Sequence, residues 1–267
     1  MSSLDSFFAS IQLPSMNEVA QDLIHSLNRD SASVNEVRNI VARDAALSAQ
    51  LLRMANSAQF GLPRGIATLD DAIAMVGMTR VRAVALGACM AGAFPNLPGL
   101  DRQAFWASSM ACAGYTQWLS HEVGIDRQIA WLTGMMLRLG ELLIGQAEPR
   151  AINVIELQPM QPGDRWRREK QLVGFSEGQI TAELARRWNF PMLMVQALQR
   201  SAEPLLEQAF SRLGAALHLG SLLAESSDPR CAIDQLPVEV IDSLKLDLDW
   251  MHATVPERDS FLNVVLE

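Results

Sequence analysis

Side chains that usually carry chemistry are scarce in this sequence. The three cysteines, Cys89, Cys112 and Cys231, are odd in number, far apart and outside any CxxC pair. That argues against a disulfide framework or a structural zinc site and fits a reducing compartment. The four histidines, His25, His121, His218 and His252, never fall within a turn of one another, so no dedicated multi-histidine metal centre is encoded. His121-Glu122 begins like HExxH, but Ile125 stands where the second histidine should be. A GxxxxGK[ST] phosphate loop and a GxGxxG fingerprint after a strand are both missing, which excludes nucleotide binding by those routes.

Long apolar runs are missing too. The stretch 84–94 is too short to span a bilayer, and 129–144 is interrupted by Arg138 and Glu141. The opening residues MSSLDSFFAS show no basic start followed by an apolar core. The expectation is a cytoplasmic protein without membrane insertion. Sustained period-two alternation is absent, so strands should be few.

What is present is a chain of 267 residues, 49% apolar and 19% charged, enough for one large domain or two small ones. The net charge of −8 opposes nonspecific association with nucleic acid or anionic lipid. The dominant period is helical. Ser15 with Glu18, Ser33 with Glu36 and Thr68 with Asp71 each place a hydroxyl at a helix start and a carboxylate three residues on. Val34, Val37, Ile40 and Val41 share one face, as do Leu47, Leu51 and Met54 in a helix opening at Asp44.

Gly61, Pro63 and Gly65 mark an ordered loop, and Gly77 ends the helix that follows it. Another helix covers 79–94. Pro95, Pro98 and Gly99 mark the clearest internal boundary. Long helices are expected over 101–123 and 126–146, then shorter ones over 149–157, 163–173, 176–189, 191–202 and 207–225. VEVIDSLK and PERDSFLNVVLE are candidate helices of the tail. The expected organisation is an N-terminal lobe over 1–97, a second lobe over 98–225 and an extension over 226–267.

Two basic features invite a nucleic-acid reading. Residues 33–57 have the outline of a helix-turn-helix, but three arginines (Arg38, Arg43, Arg53) against two acids (Glu36, Asp44) are too few to offset the acidic remainder. No DNA partner is expected. DRWRREK, 164–170, is the most basic short stretch, and its alternating acids suit a solvated face.

The combination of LPSMNEVAQDLI, then IVARDAALSAQLLRMANSAQFGLPRGIATLDDAIAMVGMTRVR, then FWASSMACA closely resembles the HDOD family, a branch of the HD-domain superfamily largely without its catalytic metal residues. The likeness runs over about residues 11–225. It implies an all-α, multi-helix HDOD fold, an N-terminal helical lobe packed on a degenerate HD-type helical lobe.

HD-superfamily hydrolases hold divalent ions with His and Asp, which lower the pKa of a bound water and polarise a phosphoryl oxygen. Matched to them, GMMLRLGELL puts Leu137 at a histidine position, Arg138 at an aspartate and Glu141 at a lysine. Ser108, Glu177, Ser201 and Ala202 stand at further histidine positions, and Ser221 at an aspartate, while His218 survives. The Gly-Tyr-Pro triplet of the related HD-GYP enzymes is missing, since the sole tyrosine lies in Gly114-Tyr115-Thr116.

No catalytic residue, metal or cofactor is therefore expected. Arg138 and Glu177 form a candidate structural ion pair in place of an ion. The resemblance implies a non-enzymatic signalling module that docks partner proteins, with links to two-component or cyclic di-GMP signalling. The loop bearing Asn56, Ser57, Phe60, Pro63 and Arg64 is the candidate interaction surface. A divergent metal-dependent nucleotide phosphohydrolase and a nucleotide-sensing pseudoenzyme remain open alternatives.

Overall fold

The computed structural model describes residues 4–29, 32–56, 66–157, 161–206 and 210–261, apart from the side chain of Met54. Its elements are α1 (Leu4–Ala9), α2 (Glu18–Leu27), α3 (Val34–Ala42), α4 (Ala45–Ala55), α5 (Leu69–Val76) and α6 (Met78–Ala93). They continue as α7 (Arg102–Glu122), α8 (Arg127–Met136), α9 (Leu139–Ala147), α10 (Pro149–Ile155), α11 (Asp164–Val173) and α12 (Glu177–Arg187). The last are α13 (Met192–Arg200), α14 (Arg212–Glu225), α15 (Pro229–Ile233), α16 (Val238–Leu244), α17 (Leu248–Thr254) and a 3-10 turn, Arg258–Phe261. Among the described residues there is no strand, and no single helix is long and apolar enough to cross a membrane.

Local chemistry explains many of these ends. Ser33 and Thr68 accept from the backbone N–H groups of Glu36 and Asp71, as the spacing predicts. At α2 the cap is Asn17, whose side chain accepts from Ala20 N at 2.8 Å, and not Ser15. An amide oxygen one residue before the helix outcompetes a hydroxyl that lies too far upstream. Gly77 takes φ 89°, which turns the chain sharply between α5 and α6.

One apolar core runs through the N-terminal helices, the central helices and the C-terminal extension, from Phe7 to Val255. α7 is its axis, packed by α8 and α14. Asn28 Nδ2 donates to the Asn189 carbonyl at 2.8 Å, and the Arg187 guanidinium lies 4.5 Å over the Phe8 ring, joining α1 and α2 to the C-terminal end of α12.

The tail lies along α7. Trp118 and Trp250 stack at 4.8 Å, the Tyr115 hydroxyl donates to the Pro256 carbonyl, and the Phe261 ring sits edge-on to Tyr115. Gly114 makes the room: a Cβ there would stand 2.2 Å from the Phe261 ring. Of PERDSFLNVVLE, the described part forms a 3-10 turn over Arg258–Phe261, and 262–267 lie outside the described residues.

Candidate functional site

The single helix expected over 126–146 is broken at Leu137–Arg138. No proline lies at the break, which Gly134 and Gly140 flank. Thr181, arriving from α12, takes up the backbone groups it frees: its hydroxyl donates to the Leu137 carbonyl at 2.9 Å and accepts from Gly140 N at 2.7 Å. Gly140 lets α12 come this close, since a Cβ there would lie 2.1 Å from the Glu177 carbonyl oxygen. The break aims Arg138 and Glu141 into the buried space between α9, α10, α11, α12 and α14.

A buried ionic cluster fills that space. Arg138 donates from Nε and Nη2 to Glu141 Oε2 at 3.0 and 2.6 Å, and from Nη2 to Glu156 Oε1 at 2.7 Å. The Phe105 ring covers its guanidinium at 4.9 Å. Arg165, 1% exposed, donates from Nη2 to Glu177 Oε1 at 2.6 Å. It also lies 3.4 Å from Glu225 and 3.9 Å from Glu141. Trp166 Nε1 donates to the same Glu177 oxygen at 3.1 Å, and Glu169 Oε2 accepts from Glu177 N at 2.6 Å.

These contacts correct two expectations. Arg138 and Glu177 belong to one cluster but are not an ion pair: Arg138 takes Glu141 and Glu156, and Glu177 takes Arg165. DRWRREK is not a solvated face, because Arg165, Trp166 and Glu169 are buried while Arg167 is exposed. Glu156, Arg165, Glu169 and Glu225 escaped the sequence reading as site residues, and Glu141 was matched only to a lysine position of the HD pattern. The available signal was an Arg–Glu pair spaced by three, Arg138 and Glu141, in an apolar stretch, and a second Arg–Glu pair spaced by four, Arg165 and Glu169, beside a tryptophan.

The electrostatics follow from burial and excess acid. Burial would lower the Arg165 pKa, but Glu177, Glu225, Glu141 and Glu169 hold it well above the usual value. Burial and the neighbouring Glu177 raise Glu169 well above the carboxylate range. Glu177 is raised by burial against the opposing pull of Arg165 and Arg138. Although burial opposes it, Arg138 and Arg165 keep Glu141 below its ordinary value.

The other expected positions surround this cluster unevenly. Leu137 is fully buried core. His218 Nδ1 meets the Ser201 carbonyl at 2.7 Å, and its ring stacks on Trp166 at 5.0 Å. Burial lowers the His218 pKa despite that carbonyl. Ser201 Oγ donates to the Leu198 carbonyl, Ser221 is buried on α14, and Ala202 lines a surface cavity of about 440 Å³ with Gly163, Trp166, Arg167, Lys170, Gln171 and Glu203. Ser108 is turned to the tail, where its hydroxyl accepts from Arg258 at 3.2 Å. On α7, Phe105 lies under Arg138, and burial and the Glu177 charge push the Cys112 thiol up to about 12.

Of the expected interaction loop, Asn56 is described; Ser57, Phe60, Pro63 and Arg64 lie outside the described residues. Asn56 accepts from Ile66 N at 2.6 Å and donates to the Ile66 carbonyl at 2.7 Å and the Leu52 carbonyl at 2.8 Å, tying together the two ends of the segment between them.

A divalent ion does not fit these residues. Guanidinium groups occupy the space between the carboxylates, and their charge opposes a second cation. Among the described residues no group of three or more His, Cys, Asp or Glu is arranged to hold a metal.

Fold and cluster together define an all-helical HD-type domain with ionic side chains at its centre. A family model, the HDOD domain, matches residues 13–204, and the chain belongs to that family. An HDOD domain protein of unknown function from Geobacter sulfurreducens is similar over 99% of this chain and 97% of its own, with a TM-score of 0.76 at 17% identity. A protein provisionally named a phosphohydrolase, from Shewanella amazonensis SB2B, covers 98% of this chain and 94% of its own, with a TM-score of 0.76 at 24% identity. At these identities the likeness is one of fold. A Treponema pallidum protein, described as uncharacterized, is 19% identical over 249 residues, and the chain spans 48% of its length.

Proposed function

We propose that this chain is a non-enzymatic HDOD signalling module of the cytoplasm that acts by docking partner proteins, with two-component or cyclic di-GMP signalling components as the expected partners. One observation carries the reading: the carboxylates at the centre of the second lobe are engaged by Arg138 and Arg165. A fixed guanidinium supplies positive charge and oriented donors, but it carries no water that could be lowered to a hydroxide nucleophile. His218 is stacked on Trp166 and hydrogen-bonded to Ser201, which suits a packing role.

The test is metal analysis of the purified chain with a phosphodiesterase assay in Mn²⁺ or Mg²⁺. Neither stoichiometric metal nor turnover is expected. Bound metal together with turnover that disappears in His218→Ala would establish a divergent phosphohydrolase instead. A second reading, a nucleotide-sensing pseudoenzyme, draws on the cavity over Trp166, where Arg167 and Lys170 stand beside an aromatic ring. Calorimetry with cyclic dinucleotides and guanosine tetraphosphate decides it, micromolar binding at this cavity being the supporting result.

A further inference from the structure

Two carboxylates of the buried cluster, one sealed and one within reach of water, converge on a single nitrogen. Arg138 Nη2 lies 2.6 Å from Glu141 Oε2 and 2.7 Å from Glu156 Oε1. Glu141 is fully buried on α9, whereas the Glu156 side chain, at the end of α10, is 32% exposed. Glu141 Oε1 has no hydrogen-bond partner, and Glu141 Oε2 and Glu156 Oε1 are brought together by the one nitrogen they share. Like charges so placed in a low dielectric cannot both ionise without large cost, and a proton between them turns repulsion into a hydrogen bond.

The charge around the pair does not relieve it. From the α8–α9 junction comes Arg138, already shared by both carboxylates. From α11 comes Arg165, 4.0 Å from Glu156, but its closer partner is Glu177 of α12, with Glu225 of α14 at 3.4 Å and buried Glu169 beside it. Arg168 of α11 donates to the Ile155 and Leu157 carbonyls on either side of Glu156. The described cluster thus holds five glutamates against Arg138 and Arg165, and retaining protons is how it limits its negative charge.

The geometry points to Glu141 and Glu156 sharing one proton, carried by Glu156, whose loss to solvent loosens the end of α10 from α9: a pH-sensitive catch built into the second lobe. Burial and the Glu141 charge, opposed by Arg138, push Glu156 up to about 7, so the catch would turn over in the neutral range. Below that pH the carboxyl donates to Glu141 and α10 is held. Above it, two carboxylates compete for one guanidinium, and the more exposed one moves to water. Arg168 then remains as the principal polar tie between this segment and α11.

Carboxyl ¹³C resonances of the full chain labelled at glutamate, followed from pH 5 to 9, test the proton. One glutamate is expected to titrate near 7, more than two units above the ordinary 4.5, and to vanish from the spectra of Glu156→Gln. Hydrogen exchange of amides 149–157, corrected for the intrinsic pH dependence, tests the release. Exchange is expected to accelerate several-fold above pH 7 in the wild type and to stay flat in Glu156→Gln, whose amide donates to Glu141 at every pH. A Glu156 carboxyl that titrates at its ordinary value, or exchange profiles that coincide, would each overturn the inference. None of these measurements depends on the signalling role.

Discussion

The indole of Trp166 lies against the imidazole of His218, ring centroids 5.0 Å apart and planes inclined by 29°. The stack joins α11 to α14, and it places His218 in a buried, aromatic setting. The partner of Nδ1 is a carbonyl, which accepts only, so Nδ1 carries the proton of the neutral ring.

His218 is therefore expected to remain neutral at pH 7 as the Nδ1–H tautomer. Ring ¹⁵N shifts should report that tautomer and a midpoint below the ordinary 6.5. Because the unfolded chain binds this proton more readily, the contribution to stability is complete above about 6.5 and declines as pH falls towards the folded midpoint. A His218 ring that titrates above 6.5 would contradict the burial argument.

Arg165 is the keystone cation, and Arg165→Met should cost about 3–5 kcal/mol in urea unfolding, the range for stranding buried charge. The loss should be smaller at pH 5 than at pH 8, since acid protonates the abandoned Glu177. Adding Glu177→Gln should recover part of the stability, and a double-mutant cycle would measure that coupling. Strictly additive losses would mean that the 2.6 Å contact carries no energy.

Two glycines should respond in opposite directions. Gly140→Ala must drive α9 and α12 apart, at a cost of roughly 1–3 kcal/mol. Gly92→Ala, on an exposed helical turn with open space around it, should gain about 0.5–1 kcal/mol. Thermal melts of the two variants make the comparison.

Gly114→Ala should dislodge Phe261 from α7 without unfolding the core. Limited proteolysis is expected to trim the chain after residue 254 faster in this variant and in Phe261→Ala than in the wild type. Equal rates in all three would mean that the Tyr115–Phe261 contact does not hold the tail.

The helices were legible wherever cause and effect lie within a few residues. Ser33 and Thr68 cap their own helices, and Gly77 turns its own chain. The HDOD fold was legible because its motif spacing extends over a long stretch, from Leu13-Pro14 to Gly77. The cluster was not, for a physical reason: its members come from five helices or their ends, and no one segment records the others. Arg165 sits among charged neighbours and reads as exposed; only when Glu141, Glu177 and Glu225 arrive does burying it become affordable. The break at Leu137 is likewise made by Thr181, more than forty residues downstream. Arg138 could be placed at the centre from the HD pattern, but its partner depended on a bend that the pattern does not contain.

Asn56 clasps both backbone groups of Ile66, so the point where the chain leaves α4 is fastened to the point where it re-enters towards α5. What lies between can then change in wording without altering the grammar around it. A fluorescent tag or a transplanted peptide inserted after residue 60 should leave the neighbouring helices where they are, which makes this the natural port for a reporter.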